Sequence, residues 1–282
     1  MSEQPTVDLD MPMVETISII ICTYNRAESL AETLRSINRL LAPPEWNVEL
    51  LVVDNGSNDQ TQFVLENFRS ANFDYRHIFE PTRGLSHARN AGMKNTHGEI
   101  ILFTDDDVRP PVDWIHSMCS PIAGGQCDAV AGGVKFPPHI ESLFSHPTLK
   151  RLKNWFASTD ELHPETPCRM VGANMAFGRH VLSKVPSFDT ELGAGPGLPG
   201  FGDETLFSAL LLREGFRIKA ALGVAVEHHF DINRINTDAL LNLARRMGES
   251  EAFISWHFRH KKHLFNSFKL LKLKFLFHSF RR

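Results

Sequence analysis

The chain has 282 residues, 42% of them apolar and 22% charged, with a formal net charge of −3, a balance suited to one large globular domain or a domain plus an appendage. No apolar run approaches the roughly 20 residues that a membrane span needs, and Glu3, Asp8 and Asp10 stand where a secretory signal would be basic. The expected location is the cytoplasm, and Cys22, Cys119, Cys127 and Cys168, scattered without a C-x-x-C pair, read as small buried thiols rather than zinc ligands or disulfides.

Residues 1–15, with Pro5 and Pro12 and little apolar periodicity, read as a loose arm. The first predicted strand is Ile17–Cys22, followed by Thr23-Tyr24-Asn25-Arg26 and a helix from about Ala27 to Leu41, in which Leu30, Leu34, Ile37 and Leu41 recur at helical spacing. A dinucleotide fingerprint would place glycines between this strand and helix, and there are none. A second strand, Val48–Val53, ends at Asp54-Asn55-Gly56-Ser57-Asn58-Asp59, where Gly56 allows a tight turn and Ser57, Asn58 or Asp59 can cap a helix running to about Phe68. A third strand near Phe73–Phe79 leads into Arg83-Gly84-Leu85-Ser86-His87-Ala88-Arg89-Asn90-Ala91-Gly92, a small and basic stretch fit to meet phosphate at a helix start.

Next comes Ile100-Ile101-Leu102-Phe103-Thr104, a continuous apolar run of the kind found in buried parallel strands, which stops at Asp105-Asp106-Asp107. Extended backbone turns alternate side chains to opposite faces, so Asp105 and Asp107 are expected to share a side and Asp106 to face away. Two carboxylates about 6 Å apart repel by roughly 3 kcal/mol at an effective dielectric near 20, which a divalent cation would convert to attraction. The alternative is a solvated acidic turn capping the next helix. The β-α-β-α-β-α-β order calls for a mostly parallel sheet with right-handed crossovers, so that Thr23–Arg26, Asp54 and the Asp105 cluster arrive at one sheet edge.

The second half opens with a helix at about Trp114–Ile122 and a strand at Asp128–Val134. An irregular Pro-rich stretch from Phe136 to Cys168 follows, with a possible short helix around Leu149–Phe156. Acceptor specificity is expected on such loops. Beyond the stretch Val171–Phe177 lies the glycine-dense Gly193–Gly202, read as a lid or a connector, and then Asp203-Glu204 in the first turn of a helix, where the dipole alone favours acids. A strand near Ile218–Val226 ends in Glu227-His228-His229, and a helix spans about Thr237–His257. No acid follows Glu251, whereas Arg259, Lys261, Lys262, Lys269, Lys272, Lys274, Arg281 and Arg282 supply eight positive charges; without them residues 1–251 carry −11. An acidic body is repelled by nucleic acid, so no nucleic-acid partner is expected. The basic, Phe- and Leu-rich tail 252–282 reads as a segment for an anionic membrane surface on the inner face.

Four blocks, S-I-I-I-C-T-Y-N-R, V-V-D-N-G-S-N-D, G-L-S-H-A-R-N-A-G and F-T-D-D-D-V-R-P-P-V-D-W, resemble in order and spacing the nucleotide-binding half of a family 2 glycosyltransferase, over about Ile17 to Trp114. The resemblance implies an α/β protein of the GT-A fold, with a mostly parallel Rossmann-like sheet, spanning 16–251. It also implies inverting transfer of a sugar from a nucleoside diphosphate, UDP by preference, to a hydroxyl acceptor such as a glycolipid or cell-surface polysaccharide. Thr23, Tyr24, Asp54 and Arg89 match positions lining base and ribose, and Asn25, Arg26, Asn90, Asp105, Asp106 and Asn174 join them as donor-binding residues. Asp105 and Asp107 match the Asp-X-Asp motif, which with His228, preferred over His229, implies a divalent metal, Mg²⁺ or Mn²⁺. Glu204 falls at the position of the catalytic base, with Asp203 beside it in an order reversed from the family's Glu-Asp.

Two other readings share parts of this pattern. A sugar-phosphate nucleotidyltransferase would carry a glycine- and arginine-rich loop where Thr23–Arg26 stands, and a haloacid-dehalogenase-type phosphatase would need Thr or Val where Arg109 stands. A non-catalytic membrane-surface adaptor of the same fold would have no use for the costly acids Asp105, Asp107 and Glu204.

Overall fold

The computed structural model describes residues 16–160, 162 and 169–259. The arm at 1–15, Cys168 and the tail from 260 onward lie outside the described residues. In chain order the elements are β1 (Thr16–Thr23), α1 (Ala27–Ile37), β2 (Asn47–Asp54), α2 (Thr61–Asn67), β3 (Asp74–Phe79), α3 (Leu85–Lys94), β4 (Ile100–Asp105), β5 (Val108–Arg109), α4 (Trp114–Ala123) and β6 (Ala129–Lys135). Two one-turn helices, α5 (Pro138–Glu141) and α6 (Pro147–Lys150), precede β7 (Asn174–Gly178), α7 (Asp203–Arg213), β8 (Ile218–His228) and α8 (Thr237–His257).

Among the described residues eight strands form one sheet in the order β3-β2-β1-β4-β7-β6-β8-β5. The first four are mutually parallel, as the crossover helices require. β7 runs antiparallel to both β4 and β6, and β6 pairs parallel with β8. The apolar runs are continuous because both faces are covered. Ile17, Ile19 and Ile21 of β1 point to one core with Leu30, Leu34 and Ile37 of α1 and Trp114 and Met118 of α4. Ile20 points to the other with Leu51, Ile101 and Phe103 and with Ala88 of α3 and Phe207 and Leu211 of α7. Gly92 lets α3 lie close to β1, since a β-carbon there would come within 2.6 Å of Ile20.

A separate aromatic core lies under the Pro-rich stretch. Phe136, Phe144, Phe156 and Phe230 pack with Ile140, Leu152 and with Leu240 and Leu243 of α8. The short helix expected at Leu149–Phe156 is two turns, α6 and a 3-10 turn at Lys153–Phe156. The boundary expected at 251/252 falls inside α8. Ile254 is buried against Leu192 and Leu206, so the first residues assigned to the tail belong to the domain. Of the cysteines, Cys119 and Cys127 are buried as expected, whereas Cys22 is half-buried at the end of β1.

Candidate functional site

Register makes the site. β1 and β2 pair Thr23 with Asp54, and β1 and β4 pair Cys22 with Asp105, so three strands end level at one edge. The extended backbone stops at Asp105, and the chain turns through Asp106 and Asp107 before β5. The expected alternation of the three acids therefore does not hold past Asp105, and they are sorted by their partners instead. Asp106 and Asp107 are both buried and both meet Nη1 of Arg26, Asp106 at 3.2 Å. Asp105 keeps a third of its side chain exposed and lies 3.8 Å from Arg89.

Asp106 is a brace. Its carboxylate accepts from Thr23 Oγ1 at 2.7 Å, and its backbone carbonyl accepts from the hydroxyls of Ser29 and Thr33 on α1. Burial pushes its carboxyl up to about 7 against the pull of Arg26. Thr23 and Arg26, assigned to the donor, thus hold the acidic turn to the start of α1.

Asp107 faces the other way in function. One oxygen takes Arg26, while Oδ1 is buried, has no hydrogen-bond partner among the described residues, and lies 3.3 Å from Nε2 of His228. His228 Nδ1 sits 2.9 Å from the carbonyl of Phe156. A carbonyl only accepts, so Nδ1 carries a proton and Nε2 of a neutral ring would present a lone pair to a carboxylate. Two acceptors in that position need a cation between them, either a proton or a metal ion. Burial works against charge on either group, yet His228 and Arg26 hold Asp107 well below the usual carboxylate range, and Asp107 in turn raises His228. His229 points away to Glu227 at 3.5 Å. Among the described residues no three His, Cys, Asp or Glu side chains converge to hold a metal. Mg²⁺ and Mn²⁺ suit a site of one or two protein ligands completed by phosphate oxygens, which the Asp107–His228 pair fits.

Arg89 on α3 is the second centre. It is 3% exposed, and Gly172 makes room for it, since a β-carbon there would lie 1.9 Å from its Nη2. Its guanidinium pairs with Asp203 and lies 3.7 Å from Glu204 and 3.8 Å from Asp105. The reversed Asp-Glu order therefore has a consequence visible in the side chains. Asp203 is buried and spent on Arg89, which holds it below the usual range despite desolvation. Glu204, a quarter exposed, is raised well above the usual range by burial and then by the adjacent Asp203. A partly exposed carboxyl with an elevated proton affinity is suited to take a proton; a fully buried one held charged by close pairing with an arginine is not.

At the β2 end Asp54 accepts the backbone N–H of Ser57 through Oδ1 at 2.9 Å. Tyr24 is 38% exposed, and the Arg83 guanidinium sits 3.1 Å over its ring. Arg83, whose Nε is buried without a partner among the described residues, is a neighbour of the predicted Tyr24 that the sequence reading did not single out. Its only signal was a basic residue directly before Gly84. Three other predicted residues are spent elsewhere. Asn25, at φ 49, accepts the Asn58 N–H at 2.8 Å and donates its own N–H to Ser57, joining two loops. Asn90 exchanges both amide groups with the backbone of Phe188. Asn174 is fully buried, donating both amide hydrogens to the carbonyls of Gly133 and Val224 and accepting from Trp114 Nε1, so its amide is engaged inside the fold and not presented to a donor sugar.

The glycine-dense stretch, together with the residue before it, is tied down at three points. Leu85 N–H donates to Ala194, Ser86 Oγ to Leu192, and Arg246 of α8 to Pro199. A cavity of about 510 Å³ lined by Val134, Thr159, Asp160 and Ala225 lies off this edge and contains none of the predicted site residues.

A curled, mostly parallel sheet with acids gathered at its strand ends is the fold of the GT-A glycosyltransferases. The mannosyltransferase PcManGT of Pyrobaculum calidifontis, solved in complex with GDP-Man and Mn²⁺, superposes with a TM-score of 0.59 at 21% identity, over 84% of this chain and 64% of that one. S. aureus TarS 1-349, solved with UDP-GlcNAc, does so at 0.56 and 19%, over 82% and 66%. At such identities the likeness is one of fold. Residues 18–185 match the family model for glycosyl transferase family 2, and the chain belongs to that family. Glucosyl-dolichyl phosphate glucuronosyltransferase of Haloferax volcanii is 26% identical over 186 residues, 63% of this chain and 57% of that protein. The chain spans less than two thirds of the length of each of these three.

Proposed function

We propose that this protein transfers a sugar, with inversion, from a nucleoside-diphosphate donor to a hydroxyl acceptor, using a divalent cation. The observation that carries the reading is the convergence of Asp54, Asp105–Asp107 and Asp203–Glu204 on one edge, with Arg89 between the last two groups. In this reading Asp54 accepts an N–H of the base through its second oxygen, and Tyr24 with Arg83 offers a stacking face. Asp107 and His228 would hold Mg²⁺ or Mn²⁺, with Asp105 at the neighbouring ribose and diphosphate. When bound, the ion offsets charge growing on the leaving diphosphate. Glu204 takes the acceptor proton as the acceptor oxygen bonds to the sugar carbon and the bond to the diphosphate breaks. Inversion rests on the family. A lipid-linked acceptor is supported by the name of the Haloferax relative, a glucosyl-dolichyl phosphate glucuronosyltransferase, and the basic tail would bring the enzyme to the membrane where such acceptors lie.

The test is calorimetry with UDP and GDP, with and without Mn²⁺. Asp107→Asn is expected to lose the Mn²⁺-dependent part of nucleotide affinity, because an amide does not neutralise the ion. Equal Mn²⁺ dependence in wild type and variant would remove Asp107 from the metal. Asp54→Ala is expected to weaken UDP and GDP by about tenfold, the worth of one hydrogen bond to a charged group. Unchanged affinity for both nucleotides would leave Asp54 as a turn residue holding Ser57.

A further inference from the structure

Arg234 follows β8 in a short 3-10 turn, Ile232–Arg234. Its guanidinium lies over two rings, 5.7 Å from Phe156 and 5.9 Å from Phe230, which stack on each other at 4.7 Å. The same two residues fix His228. Phe156 supplies the carbonyl at Nδ1, and the Phe230 ring lies 5.3 Å from the imidazole. Arg234 is therefore mounted on the platform that aims His228 at Asp107.

What it lacks is a counter-ion. The side chain is part-buried, yet it forms no ion pair and no hydrogen bond with any described residue. Arg26, whose charge acts on it from nearby, is spent on Asp106 and Asp107. Burial comes first and Arg26 second among the influences that disfavour its charge, and Asp107, Asp231 and Asp105 favour it only weakly enough that its proton affinity falls. A guanidinium stays charged in a protein, so such a position calls for an anion that the fold does not provide. Stacking on aromatic faces leaves the N–H edge free, and that edge fits two phosphate oxygens at once.

We propose that Arg234 binds the diphosphate of the donor and stabilises it as it leaves. The inference rests on the donor reading above. It names a residue from the second half of the chain, outside residues 18–185 that match the family model. The structural alternative is that Arg234 only covers Phe156 and Phe230.

The variants Arg234→Met and Arg234→Lys separate the two. Methionine keeps an unbranched apolar stem on the rings and removes the charge; lysine keeps the charge and loses the fork. Binding of UDP, UMP, GDP and GMP to the full chain is measured by calorimetry with Mn²⁺ at fixed ionic strength, and thermal unfolding is followed alongside. Arg234→Met is expected to lose roughly ten- to a hundred-fold in affinity for the nucleoside diphosphate with monophosphate affinity within about twofold of wild type, the scale of a charge-assisted hydrogen bond. Arg234→Lys should recover part of that loss. Equal losses for mono- and diphosphates in both variants, or no loss, would overturn the assignment and leave Arg234 as ring packing. Failure of the wild-type chain to bind any of the four nucleotides would instead overturn the donor reading and this inference with it.

Discussion

Glu204→Gln is expected to reduce sugar transfer by about 10²–10⁴-fold at saturating donor while leaving nucleotide affinity unchanged, because glutamine fills the same space and cannot accept a proton. The structure sharpens the choice between the two adjacent acids. Asp203 is sealed against Arg89, whereas Glu204 keeps about a quarter of its side chain exposed. Asp203→Asn is expected to act through folding, lowering stability together with rate. Normal transfer by Glu204→Gln would hand the role to Asp203. The pH dependence follows from the raised proton affinity of Glu204. A base works when deprotonated, so the rate should fall as pH drops through a value above the ordinary glutamate range, and that limb should vanish from the residual rate of Glu204→Gln. For stability the sign is opposite: the folded state prefers protonated Glu204, so its contribution is full below the unfolded value and is lost as pH rises through the folded one.

Arg89→Met is expected to destabilise the fold by about 3–5 kcal/mol in urea unfolding, the usual cost of removing one partner from a buried ion pair. Arg89 and Asp203 have side chains 4% and 2% exposed, so water cannot replace the lost partner. In wild type Asp203 titrates below the usual carboxylate range, hence its contribution is present above the unfolded value and is lost as pH falls through the lowered one. In Arg89→Met the buried carboxylate has no cation, so desolvation governs and its affinity for protons rises. The stability gap between wild type and variant should therefore narrow on acidification. Replacing both partners with methionine should recover most of the loss, as exchanges of whole buried pairs do. A gap that stays constant with pH would show that packing, not the Asp203 charge, sets the cost.

These two experiments also mark where the sequence stops being informative. Ile17–Cys22, Val48–Val53 and Ile100–Phe103 are readable as buried strands because parallel strands covered on both faces need apolar residues at every position, and the structure has them within a residue or two. The convergence of Thr23, Asp54 and Asp105 follows from that order alone, since parallel strands joined by helices bring their carboxyl ends to one edge. Glu204 rather than Asp203 was readable only from the family pattern. The burial that distinguishes them depends on Gly172 making room for Arg89, which is far away in sequence.

Side-chain partnerships across the fold were not legible. Asn90 and Asn174 carry the residue type a sugar site would use, yet each is consumed by backbone groups that only folding brings near, Phe188 for one and Gly133 and Val224 for the other. The turn at Asp106-Asp107 broke an alternation rule that holds only while the backbone stays extended. Arg83 stood out only as one basic residue of the Arg83–Gly92 stretch and Arg234 gave no periodic or motif signal, because an arginine becomes notable when it is partly buried without a carboxylate, a property of its surroundings.

What the sequence determined by itself is the layered α/β architecture and the edge at which the acids gather, because hydrophobic periodicity and crossover handedness are local and repeated along the chain. What only the tertiary structure decided is the pairing within that edge: Asp106 as brace, Asp107 facing His228, Asp203 as the buried counter-ion to Arg89 and Glu204 as the more exposed neighbour with the raised proton affinity. Protonation and pairing are set by desolvation and by charges within a few ångströms, and residues 83 to 121 positions apart in the chain come that close only when the sheet has formed.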